Sequence, residues 1–536
     1  MRHIALTAIT MLVACARAAE RNDVPSTPLS PVLGPPGDTG SSPGTTPPSS
    51  GVAGVFASSS LGDEHADGSF SRPYRTLREA IAVAQRTHAK VIACAETFAE
   101  RVVIDQGTIE VDGGYDCTSL AWRTTERTAR IEAGGGPALR VTNAQSVSLV
   151  RVDVNALDVG SDEKPELATS VAIEVRKTQY MHITHSRIHA GRGRMGRDAS
   201  APPPLLLLAG EGAAGVDAVL CGSLLAPCIS AMGVAYVNAG GDGARGQCVE
   251  ERDYAATTWL PARGGNGGDG GYYNGTVNAT RWGEVASPGQ PLLAMAGTSR
   301  GGAVAGSGAL ASAGAVGHDG ANGVSGITVV GYARGDSTMG RVGGVGESGG
   351  GGGGSERNTR TLDCPIGAPC PAFPPNTSWL TASGGGGGAG GCPGRPAAPA
   401  EGGGASIAMF IEASDVQLEG VVLETTGGGQ GGAGGFGSAP TDGGAGGAAP
   451  RLGFAGAGAR GGRGGSAGYT GHGANGASYG IAYLGGLPRM TGVTFALGPP
   501  GLHRDALADA PTASTRVVPA SVDGERAEVR LVLDGR

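Results

Sequence analysis

Aromatic residues and lysine are both scarce in this chain of 536 residues. Phe, Trp and Tyr together make up only 4% of it, and all basic residues except Lys90, Lys164 and Lys177 are arginine. Much of the 40% apolar fraction is alanine, so the large side chains of a core must be concentrated in part of the sequence. The formal net charge of -7 argues against nucleic acid as a partner, because binding a polyphosphate depends on clustered cations.

The N-terminal apolar run, residues 4–14, is too short to span a bilayer and has the length of a signal-peptide core. It ends in Leu12-Val13-Ala14-Cys15. This tetrapeptide resembles the lipobox of bacterial lipoproteins, in which the cysteine thiol carries diacylglycerol. We therefore expect residues 1–15 to be a lipoprotein signal peptide, Cys15 to be lipidated, and the protein to be retained at the outer membrane or cell surface. Cleavage after Ala18, giving a secreted protein, is the alternative.

Glycine is in large excess, with 102 residues. Runs at 349–354 and 384–388 interrupt any strict Gly-X-Y period, which excludes collagen. Residues 16–51 are rich in Pro, Ser, Thr and Gly and predict an extended tether. Ordering the glycine-rich stretch at 191–406 costs about 200 kcal/mol of backbone entropy. We therefore expect order near its cysteines and mobility elsewhere, with hydrogen-bonded polyglycine-like layers as the alternative.

The cysteine count favours structural disulfides in an oxidising compartment, because eight cysteines remain once Cys15 is set aside. They divide into a pair in the N-terminal apolar part and six in the glycine-rich stretch: Cys94 and Cys117, then Cys221, Cys228, Cys248, Cys364, Cys370 and Cys392. No C-x-x-C pair exists, so the spacing does not favour zinc. Six cysteines allow 15 connectivities. We expect the local pairs Cys221 with Cys228 and Cys364 with Cys370.

Two internal repeats predict stacked strands. Ala138, Leu139, Val141, Val147, Leu149 and Val154 recur 34 residues later as Ala172, Ile173, Val175, Met181, Ile183 and Ile188. Met409, Ile411, Leu418, Val421 and Leu423 recur 72 residues later as Ile481, Tyr483, Met490, Val493 and Phe495. Short strands with apolar residues at every second position cannot each close a core, but stacking the units buries a continuous column.

The start of the repeat region has a characteristic order. Asp67-Gly68-Ser69 is followed by the segment 73–77, by a short amphipathic helix with Leu77, Ala80, Ile81 and Ala84 on one face, and by strand-like runs at 91–95, 102–104 and 108–111. This order resembles the opening of the right-handed parallel β-helix proteins of the pectin-lyase-like superfamily. The resemblance implies an all-β solenoid whose first turn is capped by the helix. A β-sandwich is the alternative, but the hairpin signals it needs are poor.

The repeats also divide the chain. We expect β-helix rungs at 52–190 and 407–498 and a C-terminal cap at 499–536. The connection at 157–171 and the glycine-rich insertions at 191–406 and 427–478 all leave from the same point of the repeat. Insertions at one corner of a solenoid project from one flank, which is commonly its binding face.

Catalytic signatures of the superfamily are not found. Gly471-His472-Gly473 matches one motif of the polygalacturonases, but their paired aspartates and Arg-Ile-Lys segment are absent, and a lone histidine supplies neither carboxyl group of a glycosidase. Acidic residues of the repeat lie in different units and do not assemble a calcium set: Asp153, Glu174, Glu412, Asp415, Glu419 and Glu424. We expect no cofactor, with calcium as the alternative. The segment 264–269 resembles one copy of a calcium-binding repeat that needs stacked copies, so it does not by itself indicate a site.

His182, His185 and His189 are the densest titratable cluster and the weak candidates for a metal site. On a strand with Ile183 inward, His182 points outward, so the three rings are not expected to converge.

The sequence therefore predicts a non-catalytic, exported lipoprotein that acts as a structural, adhesive or binding scaffold. Its expected partners are the membrane, through the lipid, and polysaccharide or other surface proteins. The alternative is a polysaccharide lyase or hydrolase on the same scaffold. In plan the whole sequence resembles the glycine-rich PGRS-type and the DUF1565-like exported bacterial proteins.

Overall fold

A computed structural model describes residues 54–63, 65–118, 122–208, 210–217, 219–220, 239–250, 272–273, 310–328, 330–352, 379–380, 382–451, 455–508 and 516–532. The chain divides into two units, Met1–Gly51 and Val52–Arg536. Across the described ranges, no helix has both the length and the apolar character that crossing a membrane requires.

The described residues are mostly β-strand. In chain order the elements are β1 (Val55–Ala57), α1 (Leu77–Thr87), β2 (Val91–Cys94), β3 (Thr97–Phe98), β4 (Val102–Asp105), β5 (Thr108–Asp116), β6 (Arg123–Thr124), β7 (Ala129–Ala133), β8 (Leu139–Thr142), β9 (Ser146–Val150), β10 (Val152–Ala156), a 3-10 helix (Pro165–Leu167), β11 (Ser170–Arg176), β12 (Tyr180–Thr184), β13 (Arg187–Ala190), β14 (Leu205–Leu208), β15 (Val219–Leu220), β16 (Gln247–Glu250), β17 (Tyr272–Tyr273), β18 (Gly326–Thr328), β19 (Gly331–Ala333), β20 (Trp379–Leu380), β21 (Ser406–Glu412), β22 (Val416–Glu419), β23 (Val422–Thr425), β24 (Ser478–Leu484), β25 (Arg489–Thr491), β26 (Thr494–Leu497), β27 (Leu507–Ala508), β28 (Val517–Val518) and β29 (Arg526–Leu531). The expected all-β class is confirmed.

Three large sheets carry most of these strands, and their main ladders are parallel. Sheet 1 has the order β1-β2-β5-β9-β12-β22-β25, sheet 2 the order β3-β7-β10-β13-β23-β26, and sheet 3 the order β4-β8-β11-β21-β24-β29. From β8 onward the chain visits sheet 3, sheet 1 and sheet 2 in turn, and then begins again with β11, β21 and β24. Each unit of the sequence repeat therefore adds one strand to every sheet.

The sequence repeats predicted which residues correspond, and those residues are register partners. Ile173 pairs with Leu139, and Met181 pairs with Val147, at the 34-residue spacing. Met409 pairs with Ile481 at the 72-residue spacing. Most inward side chains of these columns are fully buried, so an apolar stack runs along the inside of the three sheets, and only the last unit, with Tyr483, Val493 and Phe495, is partly exposed.

Helix α1 covers the N-terminal end of this stack. The Thr76 side chain accepts a hydrogen bond from the Glu79 backbone N–H, the usual capping contact at a helix start. The predicted face is confirmed, because its apolar residues Leu77, Ala80, Ile81 and Ala84 are buried against the first strands. Thus α1 closes an end that would otherwise expose apolar core.

The predicted long connections share one corner. Residues 157–169, 191–405 and 426–477 all lead from a sheet 2 strand to the next sheet 3 strand. Within them, extended segments lie side by side in what we call the glycine bundle: 192–204, 210–217, 240–246, 310–325, 335–352, 382–405, 427–450 and 455–477.

Backbone hydrogen bonds link these segments at every third residue. Gly314, Gly317, Gly320 and Gly323 donate to Arg463, Ser466, Tyr469 and His472 in turn. Gly385, Gly388, Gly391 and Gly394 donate to Gly456, Ala459, Gly462 and Gly465, while the intervening Gly386 donates to Ala213. Successive residues thus face different neighbours. A three-residue repeat is that of the polyproline II helix, which has no hydrogen bonds of its own and leaves its backbone groups for neighbouring chains.

The ordered part of the glycine-rich insertions extends further than the sequence predicted. Residues 310–325 contain no cysteine, yet they are hydrogen-bonded to two other segments. The expectation of order only near the cysteines is therefore wrong for the described residues, and the polyglycine-like alternative holds there. The physical reason is that backbone–backbone bonds, rather than disulfides, hold the segments together.

Two disulfides lie within the described residues. Cys94 bonds to Cys117 in the N-terminal part, and Cys248 bonds to Cys392 in the glycine bundle. The first joins β2 to the end of β5 beneath Trp122, which packs edge-on against Phe56. The local pairs predicted for Cys221, Cys228, Cys364 and Cys370 lie outside the described residues.

A buried arginine ties the glycine bundle to the strands. The Arg194 side chain is 1% exposed, and its Nη2 donates to Glu401 Oε2 at 2.6 Å. Its backbone N–H donates to Ala168 O, beside the start of β11. Because a buried charge is costly without a counter-charge, Glu401 is the residue that allows Arg194 to lie there.

A second apolar cluster lies on the outward face of sheet 3. Ile407, Phe410 and Tyr479 form it, and the hairpin β18–β19 covers it with Ile327 and Tyr332. The Tyr332 hydroxyl donates to Asn475 O at 3.2 Å and accepts from the Ala477 N–H at 3.1 Å. The hairpin, which connects two segments of the glycine bundle, therefore packs on the outward face of sheet 3.

One strand follows the last repeat unit and extends a single sheet. β29 pairs with β24 and so adds a strand to sheet 3. Within the described residues, however, β25 and β26 are the last strands of sheets 1 and 2. Phe495 of β26 remains only half-buried as a result. The last strand therefore covers one of the three sheets.

Close backbone approach makes specific glycines irreplaceable. A Cβ on Gly404 would lie 1.8 Å from Ala168 O, whereas a Cβ on Gly160 would meet no atom within 4 Å. We expect Gly404→Ala to lower the free energy of unfolding by about 3 kcal/mol, because bundle and sheet must separate. The matched Gly160→Ala should be neutral or slightly stabilising. Urea unfolding of both variants measures the difference, and equal stabilities would contradict the close packing.

Candidate functional site

The outward face of sheet 2 carries a row of polar side chains from four neighbouring strands. Arg130 of β7 stands beside Asp153 of β10, and Asn155 stands beside His189 of β13. His189 in turn is paired with Glu424 of β23. These residues alternate with buried apolar ones, because successive side chains of a strand point to opposite faces.

These side chains line a depression of about 200 Å³. Its lining consists of Arg130, Asp153, Val154, Asn155, Arg187, His189 and Glu424. We call it the sheet 2 site. Every member except Val154 can donate or accept hydrogen bonds, so the site suits a polar ligand.

A hydrogen-bonded chain fixes the imidazole. His189 Nδ1 lies 2.6 Å from Asn155 Oδ1, and Asn155 Nδ2 donates to Glu132 Oε2 at 2.7 Å. Because Asn155 Oδ1 only accepts, the proton belongs on His189 Nδ1. His189 Nε2 then accepts from the Thr426 hydroxyl at 3.1 Å. Burial lowers the pKa of His189 below its usual value of 6.5, against an opposing effect of Glu424, so the ring is neutral at pH 7.

Both carboxylates of the sheet 2 site already have partners. Asp153 accepts from the Thr128 hydroxyl at 2.6 Å and from the Arg187 backbone N–H at 2.8 Å. Glu424 forms an ion pair with the Arg187 guanidinium. Glycoside hydrolysis needs one protonated and one free carboxyl group across the bond. The geometry shows instead two carboxylates engaged with donors, which suits binding.

The three candidate histidines are separated. His182 lies on sheet 1, where its Nε2 is 3.7 Å from Glu419, and His189 lies on sheet 2. His185 occupies the corner between them with a φ of 49°. No group of three His, Cys, Asp or Glu side chains in the part of the chain that the structure describes could hold a metal ion. The calcium-type segment 264–269 lies outside that part, as does the proposed lipidation site Cys15.

The acidic residues of the repeat do meet across strands, although the sequence analysis treated them as dispersed. Glu174 and Glu412 of sheet 3 both bind Arg176, and Arg140 also binds Glu174. Asp153 and Glu424 meet at the sheet 2 site. The Arg140–Glu174 and Arg176–Glu412 ion pairs join adjacent strands, an arrangement of opposite charges that stabilises the sheet.

His472 lies inside the glycine bundle rather than at a catalytic site. Its ring is fully buried, and its Nδ1 accepts a hydrogen bond from the Gly434 backbone N–H at 2.9 Å. Its own backbone N–H donates to Asn322 Oδ1. The polygalacturonase-like tripeptide is thus part of the packing of the glycine bundle.

Arg130, Asn155 and Arg187 were missed by the sequence analysis. A signal existed, because Asn155 and His189 are 34 residues apart, which is the repeat length that predicts their pairing. Aligning successive repeat units at this spacing places their outward-facing residues side by side and so identifies the row. The Glu424 contribution could not be found that way, because the long insertion separates β13 from β23.

Comparisons with known proteins find no match to this chain among protein families, curated proteins or solved structures.

The buried His472 makes stability depend on pH. Burial, aided by Arg504, lowers the pKa of His472 below 6.5, so the unfolded state binds more protons just below that pH. The free energy of unfolding should therefore fall as the pH drops below about 6.5. His472→Asn keeps an acceptor for Gly434 and should flatten this fall by up to about 1.4 kcal/mol per pH unit.

Urea unfolding of the wild-type chain and His472→Asn between pH 5 and pH 8 measures the slopes. His318→Asn is the matched control, because His318 is exposed on another segment of the glycine bundle. A slope left unchanged by His472→Asn, or flattened equally by His318→Asn, would show that His472 does not govern the dependence.

Proposed function

We propose that this protein is a non-catalytic, exported lipoprotein that presents the glycine bundle as a rigid scaffold at the cell surface. Cys15 carries the lipid, residues 16–51 form the tether, and residues 52–536 form the folded part. The three sheets wind as a right-handed parallel β-helix, and the glycine bundle projects from the corner between sheets 2 and 3. The protein is then a binding or adhesive surface rather than an enzyme.

One observation supports this proposal above all: the glycine bundle is held by backbone hydrogen bonds at every third residue. A segment with this construction gains stiffness without large side chains, and it places many main-chain groups in fixed positions. Chemistry that uses acids, bases or nucleophiles needs positioned side chains instead. The largest part of the insertions is thus suited to a structural task.

The β-helix proposal is supported by the chain path. Three parallel sheets are visited in a constant order, each unit adds one strand to each sheet, and α1 closes the first end. Parallel strands require crossover connections, and here each crossover is itself a strand of another sheet. Right-handed crossovers are by far the commoner hand.

The anchor can be tested directly. In a bacterial host that processes lipoproteins, we expect the full chain to incorporate labelled palmitate and to fractionate with membranes. Cys15→Ser should lose the label and move to the soluble exported fraction. Cys94→Ser is the matched control, since it removes a thiol that the fold uses in a disulfide. Label that survives in Cys15→Ser, or a wild-type chain that remains inside the cell, would contradict the proposal.

A second candidate function is a carbohydrate-active enzyme. The observation that favours it is the sheet 2 site, where Asp153, His189 and Glu424 meet in one depression. The described residues around the site offer no acidic cluster for calcium, and both carboxylates are engaged. These facts favour the non-catalytic proposal.

Incubation with acidic and neutral polysaccharides, with and without calcium, separates the two functions. We expect bound protein or no interaction, and no new chain ends. If binding occurs at the sheet 2 site, His189→Gln should weaken it at least tenfold, whereas His182→Gln on sheet 1 should not. New chain ends that disappear in Glu424→Gln would establish the enzyme instead.

A further inference from the structure

A second cavity in the described residues lies on sheet 3, apart from the sheet 2 site. Its volume is about 290 Å³. The outward face of β8, β11 and β21 forms its floor, the hairpin β18–β19 one wall, and the 3-10 helix the other. We call it the hairpin pocket. It is lined mainly by apolar atoms, which is typical of sites for small organic groups.

The apolar lining comes from three parts of the chain. Leu167, Val171 and Ile407 contribute aliphatic side chains, and Tyr332 and Phe410 contribute aromatic rings. The hairpin wall is fixed at both ends, because the Tyr332 hydroxyl is bonded to 475–477 and Arg176 Nη2 donates to Val330 O at 3.2 Å. The hairpin pocket is therefore a formed cavity.

The charged groups of the pocket balance one another. Its lining includes the two arginines Arg140 and Arg176 and the two glutamates Glu166 and Glu174. Glu174 receives the Nε–H of both arginines at 2.6 Å. A charged ligand would have to displace one of these contacts and would leave a partly buried charge without its partner. The hairpin pocket therefore favours an uncharged ligand.

The pocket already contains the contact that such a ligand would make. The Arg176 guanidinium carbon lies 4.8 Å from the centre of the Phe410 ring, a cation–π arrangement. Arg140, Glu174 and Phe410 stand in one row across three strands. Arg140 therefore borders the same cavity one strand further along, and it is 47% exposed, so its guanidinium is accessible.

We propose that the hairpin pocket binds one uncharged aromatic ring, which stacks against Arg140 and packs on Tyr332. Ring–ring contacts and guanidinium stacking both add to the burial of apolar area, so an aromatic ring is favoured over an aliphatic group of the same size. The ring belongs either to a free phenolic compound or to a tyrosine side chain of a partner polypeptide. This site goes beyond the proposed scaffold function and does not depend on it.

The test uses 4-methylphenol and 4-methylcyclohexanol, which share one heavy-atom skeleton. Saturation-transfer NMR titrations with the purified full-length chain should show binding of 4-methylphenol at least tenfold tighter than that of 4-methylcyclohexanol. A Gly-Gly-Tyr-Gly-Gly peptide with blocked ends is the third probe. Tighter binding of the peptide than of 4-methylphenol assigns the ring to a polypeptide, and weaker binding assigns it to a small molecule. Equal binding of the two six-membered rings, or none, would overturn the proposal.

Variants locate the site. Ala333→Trp fills the cavity from an exposed hairpin position and should abolish binding. Arg140→Met keeps the length of the side chain and leaves Glu174 paired with Arg176. It should weaken the binding of 4-methylphenol at least tenfold. Val316→Trp places the same ring at a position outside the pocket lining and should bind as wild type does. Unchanged binding in a folded Ala333→Trp variant would show that the ring binds elsewhere.

Discussion

The backbone hydrogen bond between extended glycine-rich segments is the interaction on which the larger architecture depends. Forming it at every third residue requires two main chains to approach closer than any side chain permits, as at Gly404 against Ala168. The bond is individually modest, with a net value of about 1 kcal/mol. Repeated along many segments, it opposes the ordering entropy of the insertions over far more of the chain than the two disulfides of the described residues constrain. Glycine content and rigidity are thus linked rather than opposed.

The strand part could be predicted from the sequence because its signal is periodic. Leu139 and Ile173 carry the same pattern, and the spacing of their repeat units is also their register. Helix α1 could be located for a similar reason, since its apolar residues recur at helical spacing. Both signals arise because apolar side chains are buried in the core while polar ones face solvent, which gives the sequence a regular period.

The glycine bundle could not be predicted in the same way. Its pairing is made by main-chain groups, which are identical at every residue, so nothing in the side-chain pattern says which segment lies beside which. Gly314 and Arg463 are neighbours, but no shared motif connects them. The sheet 2 site lies between these extremes: Asn155 and His189 follow the repeat, whereas Glu424 is brought to them only after the insertion has folded.

The common corner of the long connections also governs the order of folding. β11 and β21 are adjacent in sheet 3, yet their contacting residues Arg176 and Glu412 are 236 positions apart. The first half of the β-structure has only local partners and can form while the chain is still being made, whereas the second half must wait for a loop of that length to close. During folding the edge formed by β11, β12 and β13 therefore stays unpaired until β21, β22 and β23 reach it. A chain built this way exposes an unpaired sheet edge at an intermediate stage of folding, and such an edge can pair with a second chain until the later strands cover it.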